Sequence, residues 1–381
     1  MNDYDIIVAS AFGVEAVTKR ELSELGINDA PAIDGRIQLK GDTNTIANLN
    51  MNLRTADRVF IKITEFPAST FDELFDGIVN ANFEDYITCD GRILVSAKSI
   101  RSQLYSLSSI QSISKKAIID RMKKAFNIND IVEDGADYNI EIAINRDYVT
   151  VLLDTSGYGL HKRGYRDKVW VAPLKETLAA ALIKLSVWNP DKVFIDPFCG
   201  SGTLPIEAAL IAHNIAPGIN RTFAFESWNN FPSEAISLVR EKAKDSVNMD
   251  RETRISGFDI DYEAIKLSEY HAERAGVKIH FEKKDMRDIR TRYSYGVIVT
   301  NPPYGERLLT EPELKILYRD FYQMFLSLDK WSLYVLSASD RLEEFFGQKS
   351  TKNRKLYNAQ IECRLYTYMG EKPERKYNNN D

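Results

Sequence analysis

The stretch VFIDPFCGSGTLPIEAAL, Val193 to Leu210, decides how the second half of the chain folds. An apolar run ends in Asp196, a turn passes through Gly200, Ser201 and Gly202, and an Ala-rich helical segment follows. Glycines at such a turn let a ligand approach the backbone, and the helix N-terminus beyond them favours negative charge. A dinucleotide fingerprint would need a third glycine; Pro205 stands at that position, which argues against a nicotinamide enzyme. What remains is an acid at a strand end followed by Cys199-Gly200-Ser201-Gly202-Thr203. There a carboxylate can take a cationic amine while the glycines pass a ligand backbone.

Outward from that stretch, starting at VAPLKETLAAALIKLSVW, helical and extended patterns alternate, the signature of a mostly parallel sheet. The predicted strands are KVFIDPF, RISGFDI, VKIHFEKKD, YGVIVTNPP and SLYVLSAS, closed by RKLYNAQ and IECRLYTYM. The second ends at Asp259, where an acid accepts ribose hydroxyls, and Asp261 beyond it suits a helix cap. Asp259 follows Gly200 by 59 positions, against about 20 in the usual fingerprint. The segment APGINRTFAFESWNNFPSEA therefore reads as an insertion, a loop with a short helix. The third strand runs into FEKKDMRDI, so that Asp285 would meet the edge of a purine with Met286 as an apolar wall. Acids ending successive strands suit a ligand with an amine, a ribose and an adenine. S-adenosylmethionine has all three.

The next strand runs into NPPYGERL, Asn301 to Leu308. Prolines cannot continue a central strand, and they pin the backbone on both sides. An exocyclic amine on a base is a poor nucleophile, because its lone pair is delocalised into the ring. The Asn301 side-chain oxygen and the Pro302 carbonyl, stiffened by Pro303, form an acceptor pair for both N–H groups of such an amine. That pair holds the nitrogen in line and offsets the positive charge developing during methyl transfer. Tyr304 offers an aromatic face to an unstacked base.

The first 160 or so residues read as two small α+β units. YDIIVAS, GRIQLKG and RVFIKITEFPA are strands alternating with two helices; the second helix, DTNTIANLNMNL, opens on Asp/Thr caps. The second unit holds the helix TFDELFDGIVNA, the strand GRILVSAKS, a Ser-rich segment and the basic helix SISKKAIIDRMKKAF. It closes on the hairpin YNIEIAINRDYVTVLLDTSG, turning at Asn145-Arg146-Asp147. The whole chain carries a net charge of −5, yet between Gly91 and Ala125 eight basic residues stand against one acid, Asp120. That run, with Arg101, Lys115, Lys116, Lys123 and Lys124, is a solvated helix face or a phosphate footprint. HKRGYR adds His161, Lys162, Arg163, Tyr165 and Arg166, a dense cluster of cations around a glycine and an aromatic that reads as an exposed basic linker or a second phosphate contact.

The three cysteines are too scattered for a disulfide framework or a zinc site, and no apolar run reaches bilayer length. The N-terminus lacks the layout of a signal peptide, so a cytoplasmic protein without metal is expected.

Taken together, DPFCGSGT, GFDID, KKDM and NPPYGERL resemble the amino-methylating class I S-adenosylmethionine-dependent methyltransferases. More narrowly, nearly the whole chain is similar to the THUMP-domain RNA guanine-N2-methyltransferases, the family of the YpsC-like proteins and the N-terminal half of RlmKL. The resemblance implies an α/β fold: a Rossmann-like class I methyltransferase domain with a seven-stranded sheet, preceded by α+β ferredoxin-like and THUMP domains. The boundaries expected are 1–65 for the ferredoxin-like domain, 66–160 for THUMP and 161–381 for the methyltransferase. It further implies that Thr177, Asp196, Cys199, Gly200, Gly202, Asp259, Asp285 and Met286 hold S-adenosylmethionine, and that Asn301, Pro302, Pro303 and Tyr304 hold the guanine amine. Beside a THUMP unit the basic run and HKRGYR are implied to contact RNA; a monomer is expected, acting on 23S rRNA or its precursor particle before tRNA, with no membrane partner. NPPY is shared with DNA adenine methyltransferases, which would normally bring a DNA target-recognition region. A non-catalytic ribosome-assembly factor would not need all motif positions intact. Where relatives often carry Asn-Gly near the end, this chain reads YNAQIE, a departure expected to alter only the turn between the last two strands.

Overall fold

The structure is a computed structural model of the chain and describes residues 3–33, 35–168, 174–304 and 310–372. The second half of NPPYGERL and most of the polar tail lie outside the described residues. The chain forms two compact units: Met1–Ser10, Leu22–Leu160 and Gly218–Asp245 in the first; Ala11–Glu21, His161–Pro217 and Ser246–Asp381 in the second.

In the first unit the strands are β1 (Tyr4–Ser10), β2 (Ala32–Ile33), β3 (Arg36–Gly41), β4 (Ala56–Pro67), β5 (Arg92–Ile100), β6 (Asp137–Asn145) and β7 (Tyr148–Asp154). They make one seven-stranded sheet, ordered β2-β3-β1-β4-β7-β6-β5. The two α+β units of the sequence reading thus share a continuous sheet, because the 12-residue β4 pairs with β1 along one edge and β7 along the other. Only the β5–β6 pair is parallel. Helix α1 (Glu15–Glu24) follows β1 in the chain, and α2 (Thr43–Asn52), α3 (Phe71–Val79) and α4 (Leu107–Phe126) accompany the sheet. The Asp42 side chain caps α2 by accepting from the Thr45 amide, and Thr70 with Glu73 forms a capping box on α3. Much of the Ser-rich segment expected to precede the basic helix is its first turns, since α4 begins at Leu107.

The second unit has the predicted alternation. Its strands β8 (Phe194–Asp196), β9 (Ile255–Asp259), β10 (His280–Lys283), β11 (Val297–Thr300), β12 (Ser332–Ser337), β13 (Lys352–Asn358) and β14 (Ile361–Tyr368) are ordered β10-β9-β8-β11-β12-β14-β13. The first five run parallel, and β14 is antiparallel to both neighbours. Every residue of β8, β11 and β12 is buried, as parallel strands covered on both faces must be. The order of strands reverses between β8 and β11, and such switch points are where α/β sheets open a ligand crevice. Helices α5 (Glu176–Leu185), α6 (Thr203–Ala212), α7 (Ser233–Asp245), α8 (Tyr262–Ala275), α9 (Glu311–Leu326) and α10 (Leu342–Phe346) complete the chain.

The insertion is no loose loop. It groups with the first unit and is built into it. The Gly218 amide donates to the Met51 carbonyl at 2.9 Å. Trp228 stacks on Tyr138 with ring centroids 5.0 Å apart and donates its indole N–H to the Asp137 carbonyl. Arg221 donates to the carbonyls of Ser156 and Gly159, and α7 packs on α2.

Candidate active site

The site grows from the carboxyl ends of β8, β9, β10 and β11. Asp196 ends β8 and is 1% exposed. Its Oδ1 accepts from the Thr300 hydroxyl at 2.6 Å and from the Phe198 amide at 3.1 Å. Burial pushes its pKa up to about 7, and no cation among the described residues offsets this. Thr300 is the last residue of β11, so this hydrogen bond ties the glycine-turn strand to the strand that delivers Asn301.

Beyond Asp196, Gly200 and Gly202 adopt φ of +51° and +82°. A Cβ on Gly202 would also stand 3.0 Å from the Ser268 Cβ and 3.1 Å from the Phe281 ring, so both conformation and space demand glycine. Asp259 holds the turn from β9: its Oδ2 accepts from the Gly200 amide and its Oδ1 from the Asp261 amide, each at 2.9 Å. Burial raises its pKa as well. Asp261 caps α8 through the Glu263 amide. Asp285 follows β10; it accepts from the Arg287 amide and pairs with the Arg287 guanidinium at 2.9 Å. Met286 is 3% exposed and packs among Ile195, Phe258 and Tyr318. Cys199 turns inward beneath the glycine turn, its Sγ 4.0 Å from the Ser268 hydroxyl, and burial drives its pKa upward. It supports the cradle as packing. Thr177 is buried in the first turn of α5. A backbone cradle closed to any side chain, beside two raised, cation-free carboxylates, suits a ligand with an ammonium and a ribose, the donor set S-adenosylmethionine requires.

On the acceptor side, Asn301 is half-buried, and its Oδ1 is shielded from water with no hydrogen-bond partner among the described residues. A half-turn of the amide exchanges Oδ1 and Nδ2 without changing its shape, so the oxygen can be presented on either side. The turn around it is clamped from α9. The hydroxyl of Tyr318, a fully buried residue of α9, donates to the Pro303 carbonyl at 2.9 Å. Asn358 on β13 and Cys363 on β14 lie near the Tyr304 hydroxyl, and burial raises its pKa. Within YNAQIE, Ala359 stands in the turn between β13 and β14 at φ +56°, the left-handed region that favours glycine. Tyr318 carried no motif signal in the sequence, and Thr300 read only as the last residue of an apolar run.

The expected RNA contacts fare differently. Arg163 and Tyr165 are buried, 4% and 3% exposed, which puts both out of reach of RNA. The Arg163 guanidinium pairs with the fully buried Glu207 at 3.5 Å, and the Tyr165 hydroxyl donates to the same carboxylate at 3.1 Å. Arg166 is half-buried and donates to the Leu174 carbonyl while pairing with Glu176, whose pKa burial lifts to about 7. His161 is half-buried, and burial with neighbouring cations lowers its pKa to about 4, leaving it uncharged at neutral pH. Of the HKRGYR cluster, Lys162 is exposed. The 91–125 excess is also largely answered by acids beyond that window: Arg92 pairs with Asp137, Lys98 with Glu141, Lys115 with Glu133, Arg121 with Glu84 and Lys123 with Asp130. Arg101, Lys116 and Lys124 remain exposed.

Comparison with known proteins adds a family. The family model described as RMKL-like, methyltransferase domain matches residues 163–367, the RlmL ferredoxin-like domain matches 5–60, and the THUMP domain matches 68–154. YpsC of Bacillus subtilis strain 168, described as a candidate RNA methyltransferase, is 41% identical over 385 residues, covering 100% of both chains. The ribosomal RNA large subunit methyltransferase K/L of Photobacterium profundum is 32% identical over 97% of this chain. This chain spans 53% of that protein's length. The crystal structure of SMU.472, described as a candidate methyltransferase complexed with S-adenosylhomocysteine, superposes with a TM-score of 0.93 at 40% identity, covering 98% of this chain and 100% of that one.

Proposed function

The chain belongs to the RMKL-like methyltransferase family, and from that premise we propose that this S-adenosylmethionine-dependent RNA methyltransferase acts on the exocyclic N2 amine of a guanine in 23S rRNA. The observation that carries the target atom is the Asn301 amide, whose oxygen lacks a protein partner among the described residues at the end of β11, beside Asp196 at the switch point. A buried acceptor without a partner costs about 1–3 kcal/mol, a cost that a ligand N–H would remove.

When bound, S-adenosylmethionine supplies a methyl group on a sulfonium, already activated for transfer. Asp196 with Gly200 and Gly202 would hold its methionine part, Asp259 its ribose, and Asp285 with Met286 its adenine; Thr177 contributes from α5. Asn301 Oδ1 and the Pro302 carbonyl accept the two amine hydrogens, which aims the nitrogen lone pair and stabilises the charge it acquires. Tyr318 keeps Pro303 fixed, so the acceptors need no rearrangement during the reaction. The proton is lost to water or through these acceptors. The boundaries 1–65, 66–160 and 161–381 describe the proposed ferredoxin-like, THUMP and methyltransferase domains, the first two bringing the RNA.

The test is transfer of labelled methyl from S-adenosylmethionine to unmodified 23S rRNA, tRNA and DNA, with the product nucleoside identified by mass spectrometry. N2-methylguanosine in 23S rRNA supports the proposal. The same product in tRNA alone would overturn the choice of RNA, and N6-methyladenine in DNA would overturn the target base.

A further inference from the structure

With most of the basic run neutralised, the cations left facing solvent in the first unit gain weight, and two of them meet at one end of its sheet. The β6–β7 hairpin turns at Arg146-Asp147, both left-handed at φ +53° and +61°. Turns of this kind favour Asn-Gly, so an arginine there is held against its backbone preference. The loop after β5 lies beside it, beginning at Arg101, also left-handed at φ +50°. The Arg146 amide donates to the Ile100 carbonyl at 3.1 Å, and the Gln103 amide donates to Asp147 Oδ1 at 2.7 Å. The Asp147 amide in turn donates to the Ser102 hydroxyl at 3.1 Å.

These bonds consume the only acid in the turn. Glu73, in the adjoining α3 cap, is likewise taken up by Ser69 and Thr70. Both arginines are exposed and stand in no ion pair among the described residues. Around them the tip displays Tyr105 (82% exposed), Ile100 (60%), Tyr148 (46%) and Leu107 (45%). Left-handed arginines and solvent-facing tyrosines on one hydrogen-bonded tip have no evident packing purpose, and strained backbone concentrates where side chains must be aimed.

We infer that this tip, built from Arg101, Tyr105, Arg146 and Tyr148, binds an unpaired segment of the RNA substrate. The tyrosine faces stack on bases, and the arginines take the phosphates. A duplex keeps its bases stacked internally, so exposed aromatics select single strands. The inference rests on the chain being an RNA methyltransferase and names the part of the RNA that the first unit reads.

The experiment measures binding of the full chain to an unstructured RNA dodecamer and to a blunt RNA duplex at several salt concentrations. The double variant Tyr105→Ala with Tyr148→Ala is expected to weaken single-strand binding roughly 10- to 100-fold, with much less effect on the duplex. Arg101→Asn with Arg146→Asn, chosen because Asn tolerates the left-handed backbone, is expected to lower the salt slope by about 1 to 1.5. Tyr158→Ala, a control at the opposite end of β7, should change nothing although Tyr158 is 74% exposed. Wild-type single-strand affinity in the tyrosine pair, or an equal loss on the duplex, would overturn the inference. Either result would leave methyl transfer itself standing, whereas loss of N2-methylguanosine as product would strike the proposed reaction and not the tip.

Discussion

Replacing Asn301 by leucine, its apolar counterpart in shape, should separate activity from stability in opposite directions. The Asn301 Oδ1 is shielded and unpartnered among the described residues, so the folded protein carries the desolvation cost of that oxygen. Removing an unsatisfied buried acceptor while keeping the volume recovers about 1 kcal/mol. Unfolding entropy is about 2.1 cal/mol/K per residue, so a unit of roughly 200 residues has ~0.4 kcal/mol/K, and the gain raises Tm by about 2–3 °C. Methyl transfer should fall by roughly 10²–10³-fold, the loss of one preorganised transition-state contact. Asn301→Ala should show the same loss of rate, and cofactor affinity should stay near wild type in both variants. The assays are thermal unfolding, calorimetric titration with S-adenosylhomocysteine, and single-turnover transfer to RNA. A Leu variant that transfers within threefold of wild type would refute the acceptor role. A drop of several degrees in Tm would refute the claim that the oxygen lacks a partner.

Tyr318→Phe removes the hydroxyl that holds the Pro303 carbonyl and should lower kcat about 10-fold with cofactor affinity unchanged, read by single-turnover kinetics. Asp196 has its pKa raised from the ordinary 3.8 to about 7, so its contribution to stability is full below pH ~4 and is lost as pH rises through 7. That loss is on the order of 4 kcal/mol, and Asp196→Asn should flatten this part of the stability profile in denaturant titrations from pH 4 to 8. Arg163→Leu leaves Glu207 as an uncompensated buried charge and should destabilise by about 3–5 kcal/mol. The salt slope of RNA binding, measured on folded protein below its unfolding transition, should be unchanged by it.

The methyltransferase half was legible because its signals are local. An acid or Asn ends or closely follows β8, β9, β10 and β11, and parallel strands stack their carboxyl ends at one edge, where Asp196, Asp259, Asp285 and Asn301 lie. What escaped depends on residues far apart in the chain. Arg163 and Tyr165 looked solvent-facing because Glu207, more than 40 residues on, could not be assigned to them. Five of the eight cations between Gly91 and Ala125 pair with Glu84, Asp130, Glu133, Asp137 and Glu141, all outside that stretch of sequence. The fusion of the two small units into one sheet follows from β4 pairing on both edges, which no local pattern records. The same holds for Trp228, whose stacking partner Tyr138 belongs to a different stretch of the first unit.

The central claim is best tested by comparing the nucleosides of 23S rRNA from cells with and without the gene. The account predicts that one N2-methylguanosine disappears on deletion, returns with the wild-type gene, and does not return with Asn301→Ala. An unchanged set of N2-methylguanosines in 23S rRNA after deletion would contradict it.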